Sequence, residues 1–98
     1  MKYRKKPIVI EAFQMTKERR QDNSEWPDWL NQAWNKDWKE VGAVFPRAIG
    51  TSDGELDMHT LEGPLHISFD DWIIQGVKGE LYPCKDEIFR LTYELVQP

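Results

Sequence analysis

Hydrophobic and polar positions change period several times along this chain, and each change predicts an element. Ile8-Val-Ile-Glu-Ala-Phe13 is rich in β-branched residues and is entered through Pro7, which predicts a first strand. Thr16 to Asn23 contains no apolar residue, so a polar loop or frayed turn is expected at about 16–23. From Ser24 the period becomes helical. Trp26, Trp29, Leu30, Ala33, Trp34 and Trp38 fall on one face, while Asn31, Gln32, Asn35 and Lys36 take the other. Ser24 is the expected N-cap, Pro27 is tolerated in a first turn, and Glu25 and Asp28 place negative charge at the positive end of the helix dipole.

After Gly42 the pattern turns strand-like. Ala43-Val-Phe-Pro-Arg-Ala-Ile49 predicts a strand whose Pro46 demands an edge or a bulge, and Gly50-Thr-Ser-Asp-Gly54 predicts the turn into Glu55–Leu61. A two-residue loop at Glu62-Gly63 would pair Leu61 with Pro64, His59 with His66, Met58 with Ile67, Asp57 with Ser68 and Leu56 with Phe69. Asp70-Asp71 makes a corner, Trp72–Val77 a strand, Lys78-Gly79 a tight turn with Gly76 facing Leu81, and Glu80–Tyr82 the return, ended by Pro83. Asp86 is the expected N-cap of a short helix through Thr92, with Tyr93–Val96 running out as a last strand.

These elements predict one α+β domain over residues 1–98. An antiparallel, meander-like sheet of about five or six strands would carry the Trp-rich amphipathic helix on one face, with a short C-terminal helix closing one end and the first strand near the last. Composition agrees: at 98 residues, 40% hydrophobic and 31% charged, the chain is long enough for one core and too apolar to stay disordered. A net charge of −4 argues against general nucleic-acid binding. The single cysteine, Cys84, excludes an internal disulfide, and no apolar run is long enough to span a bilayer, so a cytoplasmic location is expected.

Four of the five tryptophans, Trp26, Trp29, Trp34 and Trp38, share the helical stripe. Packed on a sheet they are core; left uncovered, they would be a partner surface or the interface of a homodimer. The predicted hairpin register sets His59 beside His66 on a polar face that also carries Asp57, a grouping able to bind a metal or exchange protons. No third histidine or ligand-spaced helix motif accompanies it, so no metal, cofactor or catalytic residue is assigned. Cys84 beside Lys85 near a helix start could carry a lowered pKa, although a lone cysteine is more often a small buried hydrophobe. Lys2, Arg4, Lys5 and Lys6 read as a solvated strand end or as a patch for an acidic partner.

Tyr3-Arg-Lys-Lys-Pro-Ile-Val-Ile-Glu-Ala-Phe-Gln14, Thr60-Leu-Glu-Gly63, Asp71-Trp-Ile-Ile-Gln-Gly-Val-Lys-Gly-Glu-Leu-Tyr-Pro-Cys-Lys85, Ile88-Phe89 and Thr92-Tyr-Glu94 resemble small proteins of tailed bacteriophages and prophages similar to the PGDYG group. The sequence departs from that pattern at Phe69-Asp70, where a Pro-Gly or Gly step is usual, and at Asp86, where proline is common. The resemblance implies a phage origin and a small α+β fold, with no established activity. The expected function is therefore a non-enzymatic binding protein of the infected bacterial cell, directed against host defence. It would sequester a small anionic, nucleotide-like ligand or occupy a host protein. Lys78, Gly79, Lys85, Trp72, Tyr82, His59 and His66 are the candidate contacts, lysines for negative charge and aromatics for stacking. A virion-associated structural or decoration protein is the alternative, and a small enzyme using His59, His66 and Asp57, or Cys84, is a third.

Overall fold

The computed structural model describes residues 1–47 and 54–96. Six strands and three α-helices form an α+β fold in the order β1 (Glu11–Gln14), α1 (Lys17–Gln21), α2 (Asp28–Asn35), β2 (Val44–Pro46), β3 (Leu56–Thr60), β4 (Gly63–Ile67), β5 (Trp72–Gln75), β6 (Leu81–Cys84) and α3 (Asp86–Thr92). A 3-10 turn, Asn23–Glu25, precedes α2. The strands do not make the single meander that the sequence predicts. They divide into two antiparallel three-stranded sheets, ordered β1-β5-β6 and β2-β3-β4, with β6 packed against β3 and β4.

Between the sheets and α2 lies a core of Phe13, Met15, Trp26, Leu30, Ala33, Val44, Leu56, Met58, Ile67 and Ile73. Each fully buried leucine or isoleucine contributes about 1.5–3 kcal/mol, so this cluster is the main term holding the sheets together. The tryptophan stripe divides accordingly. Trp26 is buried, Trp29 and Trp34 pack half-buried against the cluster, and Trp38 lies beyond the end of α2, 57% exposed and edge-on to Phe45.

Several boundaries move for identifiable reasons. β1 starts at Glu11 rather than Ile8 because its partner runs out: Glu11 pairs with Gln75, and at Gly76 the β5–β6 hairpin turns away. Residues 17–21 form a helix where a loop is expected. Thr16 caps it, its Oγ1 accepting from the Arg19 N–H at 3.1 Å, and two arginines tie it down: Arg19 donates to the Gln14 carbonyl at 2.9 Å and Arg20 to that of Gly54 at 3.0 Å. Such anchoring leaves no apolar periodicity to detect. α2 begins after Pro27 rather than Ser24, and it has no side-chain cap. Ser24 instead sits in the 3-10 turn, where its N–H donates to Asp22.

Hairpin registers also shift. In β3–β4, Leu61 and Glu62 form the turn, and Thr60 pairs with Gly63, His59 with Pro64, Met58 with Leu65, Asp57 with His66 and Leu56 with Ile67. This is a slide of two residues from the expected pairing. A slide of two leaves every side chain on its own face, so apolar alternation cannot detect it. Turn chemistry selects the observed register: the Thr60 hydroxyl donates to the Gly63 carbonyl at 2.7 Å and accepts from the Glu62 N–H, while Gly63 takes φ +104°. In β5–β6 the loop is three residues, Val77–Gly79, with Gly79 at φ +84°, so Gln75 rather than Gly76 faces Leu81.

Pro46 stands in edge strand β2, as expected. The predicted strand end at Ala48 and Ile49 and the turn residues 50–53 lie outside the described residues. Pro83 does not end β6 but pairs with Ile73, which an edge strand permits. Asp86 is the first residue of α3 rather than its cap, and Tyr93–Val96 form no strand. β1 consequently pairs with β5 and not with a C-terminal strand.

Candidate functional site

Two concave sites stand out among the described residues, and the one bordered by helix and turn side chains is a cleft of about 420 Å³ where α2 meets both hairpin turns. α2 supplies Trp29, Gln32, Ala33 and Lys36; Val41 and Gly42 follow it; the β3–β4 hairpin adds Thr60, Leu61, Glu62 and Leu65; sheet β1-β5-β6 adds Gln75, Gly79, Glu80, Leu81 and Tyr82. The helical residues are spaced i, i+3, i+4 and i+7, a stripe flanking the one that enters the core. That spacing is legible in the sequence, which nonetheless assigns Gln32 and Lys36 to a solvent face. The other missed residues, Thr60, Glu62, Gln75 and Glu80, sit in or beside turns, and only the packing of two sheets aims them at one space.

The wall is aromatic and amide-bearing. Burial, then the neighbouring Tyr93 hydroxyl and its charge, push the Tyr82 phenol up to about 12, so it stays neutral across the physiological range. Tyr82 pairs with Ile74, itself opposite Ala12, so its ring lies on the other face of the sheet from Leu81, beside Tyr93. Trp29 Nε1 is buried and has no hydrogen-bond partner among the described residues, whereas Trp26 Nε1 donates to the Arg19 carbonyl at 2.7 Å. Charge in the cleft is mixed: Lys36 on one wall, Glu62 and Glu80 on the turns. The Glu80 side chain folds over Gly76, its Oε2 accepting the Lys78 N–H at 2.9 Å. Its carboxylate occupies the space where a Cβ at position 76 would stand, so Gly76 is a packing device for this fold-back.

The residues singled out from the sequence are dispersed. Gly79 and Tyr82 line the cleft, and Lys78 is exposed in the same turn. Trp72 is elsewhere, on a second groove, stacked on Phe89 with its Nε1 donating to Asp86 at 2.8 Å. Lys85 is held by the Asp71 carboxylate at 3.1 Å and by Ser68 Oγ at 3.3 Å. The two histidines are not opposite each other. His66 faces Asp57 across the ladder and bonds Glu55 through Nε2 at 2.6 Å, and His59 faces Pro64. Among the described residues no group of three or more His, Cys, Asp or Glu side chains is placed to hold a metal ion. Cys84 does not have a lowered pKa: burial, then the charge of Asp71, push its thiol up, away from the nucleophilic form.

Among the described residues no helix is long and apolar enough to cross a membrane. Comparisons with protein-family models, with curated proteins and with solved structures return no match.

Proposed function

We propose that this chain is a phage-encoded, non-enzymatic binding protein of the infected bacterial cytoplasm that holds a small nucleotide-like ligand in the α2 cleft, and so blunts a host defence. One observation supports the reading: a concave site of ligand size lined by Trp29 and Gln32 from the helix and by Gln75 and Leu81 from a sheet. The phage assignment rests on the resemblance of the opening and closing motifs. A binding role is favoured over chemistry because the described lining holds no histidine or cysteine and its tyrosine is neutral.

The ligand class follows from the wall. A planar heterocycle finds aromatic and aliphatic surface from Trp29 and Leu81 and amide donors and acceptors from Gln32 and Gln75. Lys36, and Lys78 in the turn beside Gly79, offer positive charge to a phosphate, while Glu62 and Glu80 oppose a second or third phosphate. Nucleosides and monophosphates should therefore bind better than triphosphates. Thermal unfolding across a panel of nucleobases, nucleosides and nucleotides tests this. A ligand present at about 100 times its Kd stabilises by about 2.7 kcal/mol, which raises the Tm of a domain of this size by about 10 °C or more. Gln32→Ala, at an exposed lining position, should cut that response while leaving an unliganded melt. A panel that leaves the midpoint unchanged at about 1 mM, the same factor above a Kd of about 10 µM, sinks the reading.

A further inference from the structure

On the other face of sheet β1-β5-β6, the face that bears Ala12 and Trp72, a second groove, of about 610 Å³, runs between residues 7–10 and residues 92–96, with Phe89 also lining it. It is strongly apolar, and its banks are open: Val9 is 72% exposed and Leu95 82%. Eight of the thirteen exposed large hydrophobics among the described residues lie in residues 1–9 and 88–96.

Two quantities bear on what covers this face, the first an excess of exposed surface over the whole chain, the irregular residues 1–10 included. The chain exposes 7534 Å², whereas a compact monomer of 11.6 kDa is expected to expose about 5,800 Å². The excess, about 1,700 Å², is more than the ~800 Å² that each partner of a standard-size interface buries. The second quantity is charge. The chain carries −4 overall, and Lys2, Arg4, Lys5 and Lys6 supply +4 just ahead of one bank, which leaves −8 on residues 7–98. The other bank carries exposed Glu94, with exposed Glu87 on α3.

We infer that this groove is the interface of a symmetric homodimer, closed by a second copy of the chain. A two-fold axis along the groove sets each basic bank against the partner's acidic bank and each apolar floor against its copy, the self-complementarity that an isologous contact requires. A generic acidic partner would match only one bank. This interface is separate from the α2 cleft, and the proposal stands whether or not that cleft binds a nucleotide.

Sedimentation velocity on the full chain tests it. A dimer is expected at micromolar concentration, weakening as salt rises because exposed charges are screened. Val9→Asp and Leu95→Asp, both at exposed positions outside any helix or strand, should each give a monomer that still unfolds cooperatively, its midpoint lowered by the lost dimer linkage and no longer dependent on protein concentration. The sharper experiment uses two charge variants, Lys5→Glu/Lys6→Glu and Glu87→Lys/Glu94→Lys. Each alone should dimerise at least tenfold more weakly, and an equimolar mixture should restore the dimer as a heterodimer. A wild-type chain that stays monomeric to about 100 µM, a dimer indifferent to Val9→Asp and Leu95→Asp, or a mixture that fails to reassociate would each overturn the proposal.

Discussion

The indole of Trp72 lies flat on Phe89, with ring centroids 3.9 Å apart and planes 7° from parallel. Since Trp72 belongs to β5 and Phe89 to α3, this one contact fixes the last helix to the sheet. Asp86 reinforces it by accepting from Trp72 Nε1 at 2.8 Å and from Arg90 Nε at 2.9 Å. No residue of α3 is fully buried, so little else holds it. Phe89→Ala should therefore cost about 2–3 kcal/mol in urea unfolding, less than the ~3–5 kcal/mol for a fully buried aromatic because Phe89 is half-buried, and should release the α3 amides to fast hydrogen exchange while β3 and β5 stay protected.

The same carboxylate gives a pH dependence. The hydrogen bonds from Trp72 and Arg90 hold Asp86 below its ordinary value of 3.8, and the Ser24 backbone N–H, then the Ser24 hydroxyl, do the same for Asp22. A depressed folded-state pKa means that the contribution is complete above the unfolded value and is lost as pH falls through the folded one. Stability should thus decline below about pH 4. Asp86→Asn should flatten part of that decline, as read from melting midpoints between about pH 2 and pH 6.

Asp71 is the one buried charged residue among the described residues, 4% exposed, and its Oδ2 accepts both the Ser68 N–H at 2.8 Å and Lys85 Nζ at 3.1 Å. The backbone bond should matter more than the ion pair, because the Lys85 side chain is 57% exposed and solvent screens it. Lys85→Ala is expected to cost less than about 1 kcal/mol, and Asp71→Ala, which strands the Ser68 N–H and opens the corner, about 2–4 kcal/mol. Equal losses in denaturant titration would contradict this ordering.

Corner residue Asp70 sits at φ +74°, the only non-glycine in that region among the described residues. Its N–H donates to the Met15 carbonyl at 2.7 Å, and its own carbonyl accepts from Gln14 Nε2 at 3.0 Å, so the conformation is held from both sides. Aspartate tolerates left-handed backbone and a β-branched residue does not. Asp70→Gly should be neutral or stabilising by up to about 1 kcal/mol, and Asp70→Val destabilising by about 1–2 kcal/mol.

Trp26 and Trp29 offer a matched pair. Trp26 gives its indole N–H to the Arg19 carbonyl, while that of Trp29 is buried without a partner among the described residues. Phenylalanine at either position loses volume, but only at 26 does it also strand a carbonyl. Trp26→Phe should cost about 1–3 kcal/mol more than Trp29→Phe. Comparison of the two unfolding curves decides it.

Much of the fold was legible because periodicity reports burial directly. The face bearing Trp26, Leu30 and Ala33 does enter the core, Leu56 and Met58 do alternate inward, and Pro46 does lie on an edge. α1 was not legible, since its stability comes from a cap and from arginines reaching the carbonyls of Gln14 and Gly54. Of the candidate contacts, Gly79 and Tyr82 came to border the cleft. Lys85 and Trp72 did not, because Asp71 and Asp86, brought near by folding, engage them.

By itself, then, the sequence determined the Trp-bearing helix, the strands around Leu56–Met58 and Trp72–Gln75, and the faces these bury, because they depend on propensities and periods that act over a few residues. Tertiary structure alone decided that six strands form two sheets rather than one. It also set the β3–β4 register two residues from the expected pairing, since a slide of two preserves every buried face and only the Thr60–Gly63 turn distinguishes the alternatives. It decided the start of β1 at Glu11, where the partner hairpin turns away, and with it the extended apolar bank at residues 7–10. The cleft belongs to the same category: its walls come from a helix and two hairpins far apart in the chain, and no local pattern encodes the distance between them.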